Sequence, residues 1–206
     1  MKKIMFNDRY GLEQAVLNGW KAMTRRAIPN RLWKQWDISQ RGTFGPACVS
    51  IQNEQLKKWM VAHAPMKVGE VVAVAQRYTD ITWHCNPHAP VIRDFRFMEE
   101  LRSSKGWRNK MYVKAELMPC RIKITSVRVE RLQEITDEDI LKEGIRKHFV
   151  SIKGNGGIFK YSFSGEETLY YTARGAFHHL IDLISPKGSR WEDNPWVFVY
   201  GFEKIV

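Results

Sequence analysis

Apolar and polar positions alternate along the chain with changing period, and each period predicts a different element. "KIMF", Lys3 to Phe6, has the character of a short first strand. In "RYGLEQAVLNG" the residues Leu12, Ala15, Val16 and Gly19 fall at helical spacing, with Gly19 suited to a C-terminal stop. Residues 27–46 are dense in turn formers and indoles, and they predict an irregular excursion. "NEQLKKWMVAHAP" predicts a helix capped by Asn53, striped by Leu56, Met60 and Val61, and stopped by Pro65. "VGEVVAVAQRY" follows a Gly turn with the β-branched density of a strand. Residues 79–110 carry prolines and mixed charges without a steady period, and predict a long insertion.

Further on, "CRIKITSVRVERL" reads as a long strand whose apolar parity changes between Ile124 and Val127, the mark of a bulge or a barrel bend. "TDEDILKEGI" begins with Thr136 and places Asp139 in the capping-box position of a short helix. "KGNGGIFKYSF" predicts a hairpin around residues 155–157. "TARGAFHHLIDLIS" sets Phe177, Leu180, Ile181 and Ile184 on one helical face, and "NPWVFVYGFEKIV" is apolar on both parities, as a central closing strand would be. No repeat, low-complexity tract or linker breaks the series. The expectation is one α+β domain over residues 1–206: a small mixed β-barrel decorated by helices, with insertions at about 27–65 and 79–110.

Composition narrows this picture. Apolar residues make up 44% of the 206, with eight Trp and ten Phe, which supports a packed core and argues against global disorder. There are 33 Lys and Arg against 22 Asp and Glu, a net charge of +11 that favours polyanions, nucleic acid first among them. Cys48, Cys85 and Cys120 are odd in number and far apart, so no disulfide framework follows and a reducing compartment is expected. The start "MKKIMFNDRYGL" lacks the apolar run of a signal peptide, and no window approaches the roughly 20 apolar residues of a membrane span. These features predict a soluble, cytoplasmic protein with no membrane association.

The stretch "NGWKAMTRR", Asn18 to Arg26, packs three cations around one threonine. A threonine hydroxyl is a weak nucleophile until a base takes its proton. Lysine serves as that base only when its pKa falls from about 10.4 toward neutrality. Desolvation and neighbouring cations both push it down, and Arg25 and Arg26 keep their protons throughout. Arg26 also offers a fork for a substrate carboxylate, phosphate or carbonyl oxygen. The same cluster is equally a solvated or phosphate-contacting face.

"GWKAMTRR" resembles the G-x-K-x-x-T-x-R signature of the ASCH family, whose fold is a small β-barrel similar to the PUA RNA-binding domain. Three more segments agree in order: "KVGEVVAVAQRY" with the family's G-D-hydrophobic strand, "ITSVRVERLQEITDEDILKEGI" with its strand-then-helix segment ending in an acid, and "NPWVFVYGFEKI" with its closing strand. The likeness is to the larger, phage-associated branch. In small bacterial members it implies amide hydrolysis of N(4)-acetylcytidine without metal or other cofactor. Carried over by motif, the base is Lys21, the nucleophile Thr24 and the proton donor Glu143, with Arg26 a substrate contact. Where many members carry a glutamate after the second strand, this chain has Gln76 in "AQRY", a neutral amide at a substrate-holding position.

Other groupings point less far. "HCNPH" spaces His84, Cys85 and His88 for zinc, but a structural site needs four ligands and an ordinary turn fits as well. His178 and His179 fall on a helix, with one expected to face water. Trp33, Trp36, Trp83 and Trp107 lie among Lys and Arg in the insertions, suited to base stacking or to packing the insertions on the barrel. "GNGG" is a turn, since no phosphate-loop helix follows it. Two functions remain: an amidohydrolase acting on an N(4)-acetylcytidine-like base, or a non-catalytic PUA-like module. In the module, Lys21, Arg25 and Arg26 contact phosphate or a flipped base. The expected partner is nucleic acid, RNA ahead of DNA, or a modified nucleoside, with no obligate protein partner.

Overall fold

Seven strands and six α-helices make up the described residues, 1–39, 49–81, 95–151 and 156–205 of a computed structural model. In chain order the strands are β1 (Lys2–Ile4), β2 (Met23–Ala27), β3 (Val71–Val74), β4 (Arg121–Arg131), β5 (Arg146–Ser151), β6 (Gly157–Ser162) and β7 (Trp196–Ile205). The helices are α1 (Leu12–Leu17), α2 (Asn30–Ser39), α3 (Val49–Ala62), α4 (Phe95–Ser103), α5 (Asp137–Lys142) and α6 (Ala173–Ile184). Five strands form one mixed sheet in the order β1-β3-β4-β7-β2, with β1 parallel to β3 and the other pairs antiparallel. β5 and β6 form a separate hairpin. The fold is mixed α+β, as expected.

β7 lies between β4 and β2, and residues from Val197 to Phe202 are all buried, which accounts for its apolar residues on both parities. The parity change in β4 is a register shift between Ile124 and Ser126: Ile124 pairs with Phe202 and Ser126 with Gly201. Thr136 caps α5 by accepting a hydrogen bond from the Asp139 N–H. The second half of the expected capping box is replaced, because the Asp139 carboxylate turns to Arg25 and Arg128 instead. On α6, Phe177, Leu180 and Ile181 are buried and Ile184 packs against the same core.

The first expected insertion is no irregular excursion. α2 follows Pro29, buries Leu32 and sets Trp33 and Trp36 against the core. α3 begins at Val49, a turn before the Asn53 that the sequence offers as a cap, and it buries Leu56 and Met60 in the main core. The second insertion contains α4, whose Leu101 joins Ala73, Ala75, Tyr78 and Met118 in a smaller core, with Trp107 packed against it. These helices exist because each presents an apolar stripe to the sheet. "HCNPH", Trp83, Cys48 and the tip of "GNGG" lie outside the described residues. No helix among the described residues is long and apolar enough to cross a membrane.

Candidate functional site

α1 ends at Leu17, Gly19 turns the chain with a φ of 76°, and Lys21 follows where the backbone enters β2. The Lys21 N–H donates to the Ala15 carbonyl and the Ala22 N–H to that of Lys142, so this turn is tied to α1 and to the end of α5. Glu143 closes α5 as its C-cap, and Gly144 continues with a φ of 102°. A Cβ at Gly144 would lie 3.5 Å from Ala15 and 3.7 Å from the Lys21 Cβ, so the turn rests directly on the lysine stem. Residues distant in sequence thereby meet: Lys21 Nζ donates to Glu143 Oε2 at 2.5 Å and to the Glu143 carbonyl at 2.6 Å.

Lys21, Thr24, Arg26 and Glu143 line one cavity of about 300 Å³. Its far wall is apolar, formed by Phe6, Leu12 and the Phe177, Leu180, Ile181 and Ile184 stripe of α6. The volume is at the lower end for small-molecule pockets. Burial holds the Lys21 amine below its ordinary value, with the Arg26 and Arg25 charges adding to the effect and Glu143 opposing it. Arg26 donates through Nη2 to the Met5 carbonyl at 2.5 Å and lies over the Phe6 ring at 5.5 Å. Its buried Nε has no partner among the described residues. Burial also pulls the Arg26 guanidinium below its usual value, although Glu143 opposes the shift.

Arg25 is placed differently from the expectation that it contacts substrate or phosphate. Arg25 borders the cavity too, but successive side chains of a strand point to opposite faces, so Thr24 and Arg26 share one face of β2 and the Arg25 side chain takes the other. There Arg25 is 1% exposed and all its nitrogens are engaged. Nε and Nη2 donate to Glu130 at 3.0 and 2.5 Å, Nη1 to Glu143 at 3.0 Å, and Nη2 to Asp139 at 3.2 Å. Arg128 reaches both Glu130 and Asp139 from the outside of the cluster. Arg25 is thus a positioning residue: it fixes the Glu143 oxygen that Lys21 does not hold. The sequence marked Asp139 only as a helix cap and did not mark Glu130 or Arg128 as neighbours of Arg25. β2 and β4 both pair with β7, and Arg25 and Arg128 flank Val199 in register, which no local pattern announces.

Gln76 is not in this cavity. It lines a neighbouring one of about 630 Å³ together with Asp8, Glu13, Arg77 and Asp80, and its buried Oε1 has no partner among the described residues. There burial and the nearby Asp80 charge push the Glu13 carboxyl up to about 7, while burial brings the Lys110 amine down to about 8. The histidines of α6 lie elsewhere: His178 pairs with Asp182 at 3.1 Å, and the exposed His179 stacks on Phe163. Trp33, Trp36 and Trp107 pack against the cores, with Trp36 against Trp59 at 5.6 Å. Among the described residues no group of three His, Cys, Asp or Glu is arranged to hold a metal ion. Comparison with protein-family models, curated proteins and solved structures gave no match to this chain.

Proposed function

We propose that the protein is an amidohydrolase that removes the acyl group from an N(4)-acetylcytidine-like base. The observation that carries this reading is the buried Lys21 amine, in direct contact with Glu143, in the same cavity that Thr24 lines. In its neutral form, which burial favours, the Lys21 amine takes the Thr24 hydroxyl proton, and the threonine oxygen attacks the acyl carbon. Lys21 passes the proton across its 2.5 Å contact to the Glu143 carboxylate, which delivers it to the departing exocyclic amine. The C–N bond breaks, the acyl group stays on Thr24 as an ester, and water then releases the carboxylic acid. Arg26 supplies the unpaired Nε donor for an oxygen of the base or the acyl group. The apolar wall from α6 accommodates the ring.

The ASCH resemblance belongs to the same proposal. Its lysine, threonine, arginine and glutamate positions are the residues that converge here. Its barrel is supported by contact between the two outer strands of the sheet: Arg26 on β2 reaches the Met5 carbonyl just beyond β1. A second reading is favoured by the Lys21–Glu143 contact itself, which also satisfies both groups in a base-binding module without chemistry. Incubation with N(4)-acetylcytidine, free and within RNA, followed by mass spectrometry separates them. Loss of the acetyl mass with wild type and not with Thr24→Ala is expected. Binding of the base by both proteins without any product would leave the module and remove the hydrolase.

A further inference from the structure

Large aromatic side chains left in solvent are rare on a soluble surface, and here they gather on one hairpin. On the β5–β6 hairpin, Phe149 is 63% exposed and Phe159 51% exposed; beside it Tyr171 is 75% exposed. Phe149 and Phe159 are register partners with ring centroids 5.5 Å apart. Gly157 makes room for this pair, since a Cβ there would stand 2.2 Å from the Phe149 ring. Each exposed ring system has a cation over it: Lys147 Nζ at 3.9 Å from the Phe159 centroid and Lys160 Nζ at 4.6 Å from that of Tyr171. At the foot of the hairpin, the Arg146 guanidinium lies 3.8 Å over Trp20, itself half exposed. From Gly144 to Phe163 the sequence contains no Asp or Glu.

We propose that this hairpin, with Trp20 at its foot, is a stacking platform for single-stranded nucleic acid. Side-chain alternation puts Phe149, Phe159 and Lys147 on one face of the hairpin and the Arg146–Trp20 and Lys160–Tyr171 pairs on the other, so each face offers rings for unpaired bases and cations for the phosphates of a strand that wraps it. A protein partner fits less well, because a lysine lies over an exposed ring on each face, and protein–protein interface cores are depleted in lysine. The platform is also continuous with the cavity. Trp20 directly precedes Lys21, Arg146 follows the Glu143–Gly144 turn, and α6, which walls the cavity, packs against β6. A strand on the face that carries Arg146 and Trp20 is therefore led toward the cavity, so the acylated base is presented within a polynucleotide. Only that last step rests on the hydrolase reading; strand binding does not.

The test is fluorescence anisotropy of labelled oligo(U) and oligo(dT) against a salt series, with a duplex as control. Wild type binds the single strands better than the duplex, with a log–log salt slope near −2 for three phosphate contacts. Lys147→Ala and Lys160→Ala each flatten that slope by about 0.7. Phe149→Ala with Phe159→Ala weakens binding at least about tenfold, because stacking on an aromatic side chain is substantial per base. Both rings are exposed, so the variant's unchanged thermal midpoint and unchanged turnover of free nucleoside show an intact fold and cavity. Strand binding lost in the ring variant sustains the platform even where wild type hydrolyses nothing. Equal binding by wild type and ring variant, or no binding at low salt, overturns it even where free nucleoside is hydrolysed. A wild-type dimer that the ring variant dissociates, with strand affinity unchanged, also overturns it and identifies the hairpin as a self-association surface.

Discussion

Replacing Arg25 by Met tests the electrostatic frame of the site. The substitution keeps an apolar side chain of similar reach and removes four charge-assisted contacts: two to Glu130, one to Glu143 and one to Asp139. At about 1.5–3 kcal/mol for each hydrogen bond to a charged group, simple addition gives an upper bound of roughly 6–12 kcal/mol. The structure lowers that bound, because each carboxylate keeps a second cation: Lys21 for Glu143, and Arg128 for Glu130 and Asp139. Solvent gives little relief, since the Arg25 side chain is 1% exposed and that of Glu143 5%. The expected loss is therefore the one typical of a buried pair deprived of one partner, about 3–5 kcal/mol. In a chain of this size that lowers the thermal midpoint by about 10 °C. Urea unfolding followed by tryptophan fluorescence measures it, and adding Glu130→Gln to the Arg25→Met variant should recover part of the loss. A loss below about 1 kcal/mol, the worth of a solvated surface pair, would refute the buried frame.

Three other outcomes follow from the same geometry. Thr24→Ala should lower acetyl release by roughly 10³-fold or more while Thr24→Ser keeps part of it, checked by mass spectrometry; equal rates for Ala and wild type would exclude Thr24 as nucleophile. Burial and the Asp80 charge raise the Glu13 carboxyl from an ordinary 4.5 to about 7, against the Lys110 amine 2.6 Å away, so between those values the folded protein holds more of this proton than the unfolded chain does. Stability should therefore decline as pH rises from about 4.5 through about 7, and Glu13→Gln should flatten that decline in urea titrations; a wild-type profile already flat over this range would contradict it. Gly165 has a φ of 80° and would place a Cβ 2.3 Å from the Arg9 carbonyl oxygen, so Gly165→Ala should cost about 2–3 kcal/mol in the same assay, and a neutral effect would count against the turn.

Where an element's own side chains decide its burial, the sequence was legible. The two-sided apolar run of β7, the parity break in β4 and the single stripe of α6 each describe the surface they meet. α2 was misread because Pro29 and Asn30 look like a turn, although a proline just ahead of a helix also suits its start. Its three apolar contacts, Leu32, Trp33 and Trp36, are too few to announce a period beside so many polar residues. The site divides in the same way. The family resemblance implied Lys21, Thr24, Arg26 and Glu143 together, and the four line one cavity. The contacts of Glu130 and Asp139 with Arg25 are not legible, because these residues are 105 and 114 positions away and become its neighbours only when β4 and α5 are in place.

That distant pairing explains how three cations can crowd one short stretch. The pleat of β2 separates them first, sending Arg25 to one face and Arg26 to the other. The compensation they receive is then unequal. Arg25 meets three carboxylates, Lys21 one that it shares with Arg25, and Arg26 a backbone carbonyl. Repulsion and burial are relieved most at Arg25 and least at Lys21 and Arg26, whose lowered values reflect it. A ligand that brings an electron-rich oxygen to Arg26, and a proton acceptor or donor to Lys21, relieves what the fold leaves uncompensated. The position of that residual charge, opposite an apolar wall, is the feature on which the proposed acylated-base site rests.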